Sequence, residues 1–386
     1  MNDDRILKTL KKGNCMRDFK TNARMAYDCI NRTETSGTPT GLVHIMEHSV
    51  IERIANVKPG DYRNDPHGVY VKMLQNAGVC MVDQYLAENP LRIGNKGHEN
   101  ITQDAGIILE GIEIDSPESV AEHIERFRTP QLEKAILDFN AAACGQNAVN
   151  NESRIQQLLG DDILKTGYGH IIFPVLSYAA YGYENYFMAY SLYPEVIDRY
   201  FTLQGVYAKK NNQAVVDAYI KAGLPKYHRL DHDMASSRGL LVDRHTLERA
   251  WYPAFLDSIS PAVDADFTLL WHCDGNLMEM IPYLLEAGVN GFQGFQYEDG
   301  MDYVKICRMI AKNGKSMVIQ AGVSVTRELP MGTPKDIAAQ IRFLVENGPD
   351  TGLFLSFSSS CTPGVPYENI QTALEGFEYY RTHKKK

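Results

Sequence analysis

The sequence predicts an α/β protein, specifically a (β/α)8 TIM barrel with a helical N-terminal extension. Short apolar runs recur along the chain and stop at polar residues, as buried parallel strands do. From residue 226 onward, these runs alternate with stretches long enough to form crossover helices. Three earlier runs bring the strand count to eight, which favours the barrel. The alternative architecture is a doubly wound open sheet.

The predicted elements fall into two segments, an extension at residues 1–40 and a barrel at residues 41–386. In the extension, a charged stretch of helical character at residues 3–31 leads into a linker rich in Thr, Ser, Gly and Pro. The predicted strands occupy residues 41–45, 79–82, 169–175, 226–230, 267–271, 291–296, 318–321 and 352–357. The main predicted helices occupy residues 69–76, 131–144, 197–220, 277–286, 301–313, 333–346 and 367–380. A hairpin or an edge strand at residues 107–114 is expected before a helix that begins at Ser116.

The composition indicates a globular protein with one large core, since 44% of the 386 residues are hydrophobic and 23% are charged. A net charge of −9 and a pI near 5.7 argue against nucleic acid and anionic membrane surfaces as partners. The polar start and the lack of any apolar run of about 18 residues predict neither a secretory signal nor a membrane helix. The seven cysteines are scattered without a CxxC pair, which favours reduced thiols in the cytoplasm.

Ligand-type side chains are concentrated directly after the predicted strand at residues 267–271. His272, Cys273 and Asp274 follow that strand and precede a Gly-Asn turn. Because strand side chains alternate, His272 and Asp274 should point to one side and Cys273 to the other. Barrel enzymes carry their chemistry at the carboxyl ends of strands, so a histidine and a carboxylate there predict a functional site. The structural alternative is that Asp274 caps the helix that follows.

A second polar cluster follows the predicted strand at residues 226–230. It consists of Asp231, His232 and Asp233. Two carboxylates and a histidine at a strand exit suit general acid–base catalysis or substrate binding, and we predict Asp231 and Asp233 as catalytic residues. The alternative is that these side chains cap a helix that begins near Arg244.

The ends of the first two predicted strands supply two further candidates. The residues from His44 to His48 spell HxxEH, a zinc-peptidase motif that requires a long helix. Here His44 falls in a predicted strand, which argues against a peptidase and predicts that His44 lines a pocket. Asp83 ends the second predicted strand and is expected at the same edge of the sheet as a substrate-binding residue.

An unusually aromatic region follows the predicted strand at residues 169–175. Tyr181 and Tyr186 lie within it and are predicted to contact a flat or apolar substrate. The alternative is ordinary core packing.

Several sequence motifs follow His272 in the second half of the chain. The chain continues with Leu-Leu-Glu-Ala-Gly-Val-Asn-Gly-Phe-Gln at residues 284–293, Met-Asp at 301–302, Ala-Gly at 321–322, Gly-Thr-Pro-Lys-Asp-Ile at 332–337 and Val-Pro-Tyr-Glu-Asn at 365–369. Over about residues 227–380, these motifs resemble the uroporphyrinogen decarboxylase-like superfamily. That barrel superfamily also contains corrinoid-linked methyltransferases. The Arg-rich N-terminal motif of true uroporphyrinogen decarboxylases is not visible here, so the resemblance is to the methyltransferase branch.

The resemblance implies a zinc site, because these methyltransferases hold zinc with a His-x-Cys pair, a later Cys and a nearby Glu. By position, His272 is the first ligand, Cys361 the later cysteine and Glu298 the acidic ligand. Asp274 stands where the family has its second ligand, since Cys273 comes one residue early. The implied metal ligands are therefore His272, Asp274, Glu298 and Cys361.

The replacement of a thiolate by Asp274 bears on the chemistry. A site with two thiolates is soft and suits the activation of a thiol, whereas carboxylate ligands leave zinc more electrophilic. We therefore predict a methyltransferase that moves a methyl group from a methoxylated substrate to a cobalt(I) corrinoid on a partner protein. The tyrosine-rich region fits an aromatic methyl ether.

Other functions stay open from the sequence. The alternatives are methyl transfer from a methyl-corrinoid to a thiol, decarboxylation of a small acid, and a barrel that binds a corrinoid or tetrapyrrole without catalysis. The oligomeric state is also open, with a homodimer among the alternatives.

Overall fold

The computed structural model describes residues 20–41, 44–88 and 106–383, which form a mixed α/β fold. Its strands are β1 (Met81–Val82), β2 (Ile108–Leu109), β3 (Ile112–Glu113), β4 (Leu164–Lys165), β5 (Gly167–Tyr168), β6 (Tyr227–Asp231), β7 (Ala235–Ser236), β8 (Gly239–Leu240), β9 (Thr268–His272), β10 (Gly291–Gln293), β11 (Val318–Val323) and β12 (Leu353–Phe357). Six of them form one parallel sheet in the order β12-β11-β10-β9-β6-β5.

The helices connect and cover these strands. They are α1 (Thr21–Ile30), α2 (His48–Ala55), α3 (Asp61–Asn64), α4 (Pro66–Asn76), α5 (Pro117–His123), α6 (Thr129–Leu137), α7 (Ala141–Leu159), α8 (Tyr178–Tyr181), α9 (Tyr183–Leu192), α10 (Pro194–Ala222), α11 (Arg244–Thr246), α12 (Tyr252–Asp264), α13 (Ile281–Ala287), α14 (Tyr303–Cys307), α15 (Glu328–Met331), α16 (Pro334–Asn347) and α17 (Tyr367–Thr382). Within the described part of the chain, none of them is both long and apolar enough to cross a membrane.

Further parallel pairing flanks the six-stranded sheet. β1 pairs with β4, and Thr166 alone separates β4 from β5. Thr40 forms parallel bridges to Val79, just before β1, and to Leu355 on β12. Two antiparallel hairpins, β2–β3 and β7–β8, lie outside this parallel arrangement. The first of them is the hairpin, one of the two alternatives predicted for residues 107–114.

The prediction of a strand at residues 169–175 is wrong. The observed strand β5 ends at Tyr168, one residue before the predicted strand would start. Gly169 has a φ of +74°, in the left-handed region that ends an extended strand. The backbone N–H groups beyond it bond to side chains instead of to a neighbouring strand. His228 Nε2 accepts from the backbone N–H groups of His170 and Ile171 at 3.1 and 3.0 Å. An apolar run alone could not distinguish this side-chain-supported loop from a strand.

The alternating side chains of the strands belong to two apolar clusters. On β11, Ile319 and Ala321 lie in the larger cluster, together with most of the apolar helix residues. Val318 on the same strand lies in a smaller cluster inside the sheet. We call this smaller cluster the inner cluster. Its strand residues include Met81, Leu164, Tyr227, Leu270, Val318 and Phe354.

Helix α1 covers the inner cluster at the amino ends of the strands. Its residues Ala23, Ala26 and Cys29 belong to that cluster, and the Cys29 thiol lies 3.3 Å from the carbonyl oxygen of Leu353. Arg32 follows the helix and donates to backbone carbonyls that precede the sheet strands, including that of Asn290 at 3.1 Å. The amino end of the sheet is therefore filled by apolar side chains, and the predicted functional residues lie at the carboxyl end. Residues 1–19 of the predicted extension lie outside the described residues.

Candidate functional site

Three neighbouring strands bring the predicted site to one edge of the sheet. Asp231 on β6 lies beside His272 on β9 in the strand register, and His272 lies beside Gln293 on β10. Partners in a parallel register point to the same side of the sheet. Leu270, two residues before His272, belongs to the inner cluster, so these three side chains face the interior.

His272, Asp233 and Asp274 form a group that could hold a metal ion. One ligand atom from each lies within 4.8 Å of the others. His272 Nε2 is 3.9 Å from Asp274 Oδ1, and the backbone N–H of Asp274 donates to Asp233 Oδ1 at 2.8 Å. Desolvation raises the pKa of Asp233, although the hydrogen bond from Asp274 opposes this rise. Asp233, predicted as a catalytic residue, thus lies among the candidate ligands.

This group fits zinc by its donor atoms. Imidazole nitrogens and carboxylate oxygens both bind zinc, and three protein ligands with one open position are typical of catalytic zinc sites. Two of its polar atoms, His272 Nδ1 and Asp274 Oδ1, are buried and make no hydrogen bond to any residue the structure describes. Buried polar atoms usually have partners, so their arrangement is consistent with a bound cation.

Glu298, an implied metal ligand, does not belong to this group. Its carboxylate accepts a hydrogen bond from Ser324 Oγ at 3.0 Å and another from Thr326. These contacts direct the Glu298 side chain to the segment that follows β11.

Cys361, the other implied ligand, also lies outside the group. Its backbone bonds to His44 and Met46, and the residue is 1% exposed. Burial, followed by the nearby charge of Glu47, raises the pKa of the Cys361 thiol to about 12.

Two serines link His44 to the candidate metal group. His44 Nδ1 is 2.6 Å from Ser360 Oγ, and the adjacent Ser359 donates to Asp274 Oδ2 at 3.3 Å. His44 therefore lies at the same edge of the sheet as Asp274.

Arg229 forms a polar cluster that the sequence analysis did not identify. The side chain is 6% exposed, and its Nη2 lies 3.3 Å from Asp231 Oδ2. Its Nε lies 3.4 Å from Asp83 Oδ2, which brings two predicted site residues to one guanidinium. Burial acts to lower the pKa of Arg229, but the charges of Asp83 and Asp231 outweigh it and raise the pKa. The available signal was spacing, because Arg229 precedes Asp231 by two residues and so shares its face.

Neutral side chains complete the surroundings of Arg229. Nη1 donates to Gln293 Oε1 at 3.0 Å, and Nη2 donates to Gln84 Oε1 at 2.7 Å. The guanidinium lies 4.5 Å from the ring centre of Tyr168, whose hydroxyl donates to Asp231 Oδ2 at 3.1 Å. Arg229 is therefore held on several sides, as is typical of a buried ion that is fully paired.

Tyr181 and Tyr186, predicted to contact substrate, lie in the core instead. They are 1% and 0% exposed, and their rings stack 6.1 Å apart. Burial raises the pKa of Tyr181 to about 12, and its hydroxyl bonds to His123 at 2.9 Å. The aromatic residue of this region that reaches the site is Tyr178, which donates to the Asp233 carbonyl at 2.8 Å. Helical spacing, rather than the number of tyrosines, decides which of them face the core.

No family model and no curated protein sequence matches the chain. Among solved structures, the chain is similar to a methyltransferase from Methanosarcina mazei, with a TM-score of 0.56 and 15% sequence identity over 93% of this chain and 99% of that one. It also matches a B12-independent methionine synthase from Shewanella sp. W3-18-1 in complex with selenomethionine, with a TM-score of 0.32 and 12% identity over 46% of this chain and 52% of that one. The second likeness is too weak to support an argument. The chain therefore shares the fold of the Methanosarcina mazei methyltransferase over nearly its whole length.

Proposed function

We propose that the protein is a methyltransferase built on a (β/α)8 barrel. Thr40 would close the ring of strands, since it bridges both Val79 and Leu355. The likeness in fold to a methyltransferase over 93% of the chain supports methyl transfer as the reaction class. The candidate residues lie at the carboxyl ends of the strands, where barrel enzymes have their active sites.

The reaction we propose moves a methyl group from a methoxylated aromatic substrate to a cobalt(I) corrinoid on a partner protein. The C–O bond of the ether breaks, a C–Co bond forms, and the oxygen leaves as a phenoxide that takes up a proton. Zinc bound by Asp233, His272 and Asp274 would supply Lewis-acid stabilisation of the negative charge on the leaving oxygen. The observation that carries this proposal is the donor set, which contains two carboxylates and an imidazole and no thiol.

Two further residues, Asp231 and Tyr168, would stabilise the leaving oxygen. Asp231 lies beside His272 in the register, and the Tyr168 hydroxyl donates to it at 3.1 Å. Burial and the charge of Asp231 raise the pKa of Tyr168 to about 12, so this hydroxyl keeps its proton at neutral pH. The neutral Tyr168 hydroxyl, held by Asp231, can therefore donate a hydrogen bond to the leaving oxygen, and the phenoxide takes its proton from solvent.

The test uses the full-length protein with zinc, chemically reduced cob(I)alamin and 2-methoxyphenol. We expect methylcobalamin, detected by its absorption spectrum, and catechol, detected by chromatography, in equal amounts. His272→Ala should abolish both products, whereas Gln371→Leu on the exposed face of α17 should leave them unchanged. Methylation of a small thiol by methylcobalamin, without demethylation of any methyl ether, would replace this proposal with the thiol methyltransferase.

A further inference from the structure

Two of the three candidate metal ligands lie beyond the ends of their strands. Asp233 follows β6 by two residues, and Asp274 follows β9 by two residues. The register of these two strands ends where Asp231 lies beside His272. Contacts other than the strand pairing must therefore hold the two carboxylates close enough to share one ion.

The thiol of Cys273 supplies one of these contacts. Its sulfur accepts a hydrogen bond from the backbone N–H of Met234 at 3.4 Å, which joins the segment after β6 to the segment after β9. The same thiol donates to the carbonyl oxygen of Asp274 at 3.0 Å. Burial, followed by the charge of Asp233, raises the pKa of Cys273, so the thiol keeps the proton for this bond at neutral pH. Cys273 thus contacts the neighbour of one carboxylate ligand and the backbone of the other.

The sulfur of Cys273 lies on the opposite side of its strand from the candidate ligands. Cys273 packs in the larger apolar cluster, whereas Leu270, which shares the face of His272, lies in the inner cluster. The Cys273 sulfur is also outside the group of ligand atoms that lie within 4.8 Å of one another. Cys273 therefore acts on the candidate ligands through the backbone.

The two segments approach each other closely just beyond the thiol. The backbone N–H of Asn276 donates to the carbonyl oxygen of Ser236 at 2.9 Å. Gly275 has a φ of +83°, and a β-carbon there would lie 2.7 Å from the same oxygen, so this position requires glycine. The thiol contact is therefore part of a tight junction, and its loss would let the two segments move relative to each other.

A metal site depends on the spacing that this junction sets. Zinc binds imidazole nitrogens and carboxylate oxygens at about 2.0–2.2 Å, so all of its ligands must point at one position. Groups that orient ligands without touching the metal typically contribute about 10–100-fold to metal affinity.

We propose that Cys273 is a positioning residue of the zinc site, whose thiol holds the Asp233 segment against the Asp274 segment and so raises zinc affinity without binding the metal. This inference rests on the proposed function, in which zinc at this group stabilises the leaving oxygen. The alternative role of Cys273 is core packing alone, since the residue is 2% exposed.

The test compares the zinc affinities of full-length variants by competition with a chelating dye. Cys273→Ala removes both hydrogen bonds, so we expect zinc affinity to fall by about tenfold or more. Cys273→Ser keeps a group that donates and accepts, and its zinc affinity should stay within about threefold of that of the wild type. Cys307→Ala, which removes another thiol from the same apolar cluster, should leave zinc affinity unchanged.

An unchanged zinc affinity in Cys273→Ala would overturn the inference. Equal losses in Cys273→Ala and Cys273→Ser would also overturn it, because packing alone would then explain both. A second variant covers a failure of Cys273→Ala to fold, which thermal denaturation would detect. Cys273→Val fills the space of the thiol without a hydrogen-bonding group and should show the same loss, whereas zinc affinity at the level of the wild type would overturn the inference.

A spectrum of the protein loaded with cobalt(II) instead of zinc tests whether the sulfur binds the metal. A thiolate bound to cobalt(II) gives an intense charge-transfer band in the near ultraviolet. We expect the wild type and Cys273→Ser to have the same absorption in this region. A band present only in the wild type would make Cys273 a ligand and overturn the inference.

The same variants separate this inference from the proposed function. Loss of zinc affinity in Cys273→Ala, together with no methylcobalamin formation by the zinc-loaded wild type, would overturn only the proposed function. Methylcobalamin formation by the wild type, together with an unchanged zinc affinity in Cys273→Ala, would overturn only this inference.

Discussion

The two ends of the sheet interior differ in what their side chains need. At the amino end, Leu270, Val318 and Phe354 pack against α1 and are fully buried. At the carboxyl end, polar atoms such as both amide atoms of Gln320 make no hydrogen bond to the residues that the structure describes, and Asp231 keeps 30% of its side chain exposed. An apolar end can be optimised for packing, whereas a site must keep polar atoms unpaired until a ligand arrives. Stability should therefore depend mainly on the amino end and binding on the carboxyl end.

Phe354→Ala tests the amino end and should have the largest effect on stability. Phe354 is 0% exposed in the inner cluster, so truncation removes its burial and leaves a cavity. We expect the free energy of unfolding, measured by urea denaturation, to fall by about 4 kcal/mol. Phe343→Ala, at a side chain that is 42% exposed, serves as the matched control and should cost under about 1 kcal/mol. Equal losses in the two variants would contradict the special role of this end.

Arg229→Leu tests whether the carboxyl end also carries stability. Removal of the guanidinium leaves Asp83 and Asp231 facing each other without a counter-charge, so we expect a loss of about 3 kcal/mol in unfolding free energy. Arg238→Leu, at an exposed position, should change it by less than about 0.5 kcal/mol. A stable Arg229→Leu protein would mean that water replaces the guanidinium and that the carboxyl end is loosely packed.

Measurements of zinc affinity should show which residues at the carboxyl end bind the metal. Asp233→Asn and His272→Ala each remove a member of the candidate group, so zinc affinity, measured by competition with a chelating dye, should fall by about 100-fold or more. Cys361→Ala should change it little, because that thiol is buried outside the group. Loss of zinc on Cys361→Ala with retention on Asp233→Asn would restore the ligand set implied by the family resemblance.

The smallest expected effect is a pH dependence that comes from His228. Burial, aided by the charges of His170 and Lys165, lowers the pKa of His228 well below its usual value. The folded protein therefore keeps His228 neutral, while the unfolded chain binds a proton below about pH 6.5, so stability falls as the pH drops through that value. We expect up to about 1.4 kcal/mol per pH unit from this residue, measured by urea unfolding between pH 7 and 5.5. His228→Gln, which keeps an acceptor for the loop N–H groups, should flatten the profile, and an unchanged slope would rule His228 out as its source.

The order of the main sheet was predictable from the sequence, because apolar runs and the spacing between them are local properties. The third strand was misplaced because Gly169 and the His228 ring end it early, and a side chain 58 residues away in sequence leaves no local signal. Arg229 was missed for a related reason. An arginine inside an apolar run looks like a break in the buried strand pattern, and its role is clear only once its partners Asp83 and Gln293 are known.

The candidate site was only partly predictable. Strand alternation predicted that His272 and Asp274 point to one side, and both lie in the candidate metal group, because alternation depends on the backbone alone. Glu298 and Cys361 were predicted as metal ligands from their positions in the resembling family. Such a position specifies which strand end a residue follows, but not how far its side chain lies from the other ligands. Asp233 joins the candidate metal group through a backbone contact with Asp274 that no sequence pattern encodes.

The docking of α1 also bears on the order in which the protein is completed during synthesis. Helix α1 leaves the ribosome early, yet its Cys29 bonds to Leu353, which lies 324 residues later. The inner cluster is complete only after β12 has been translated, and until then α1 can pack only against earlier strands such as β1 and β4. Translation that stops before β12 would release chains with a partly uncovered α1 and an open sheet edge, which are substrates for chaperones or proteases.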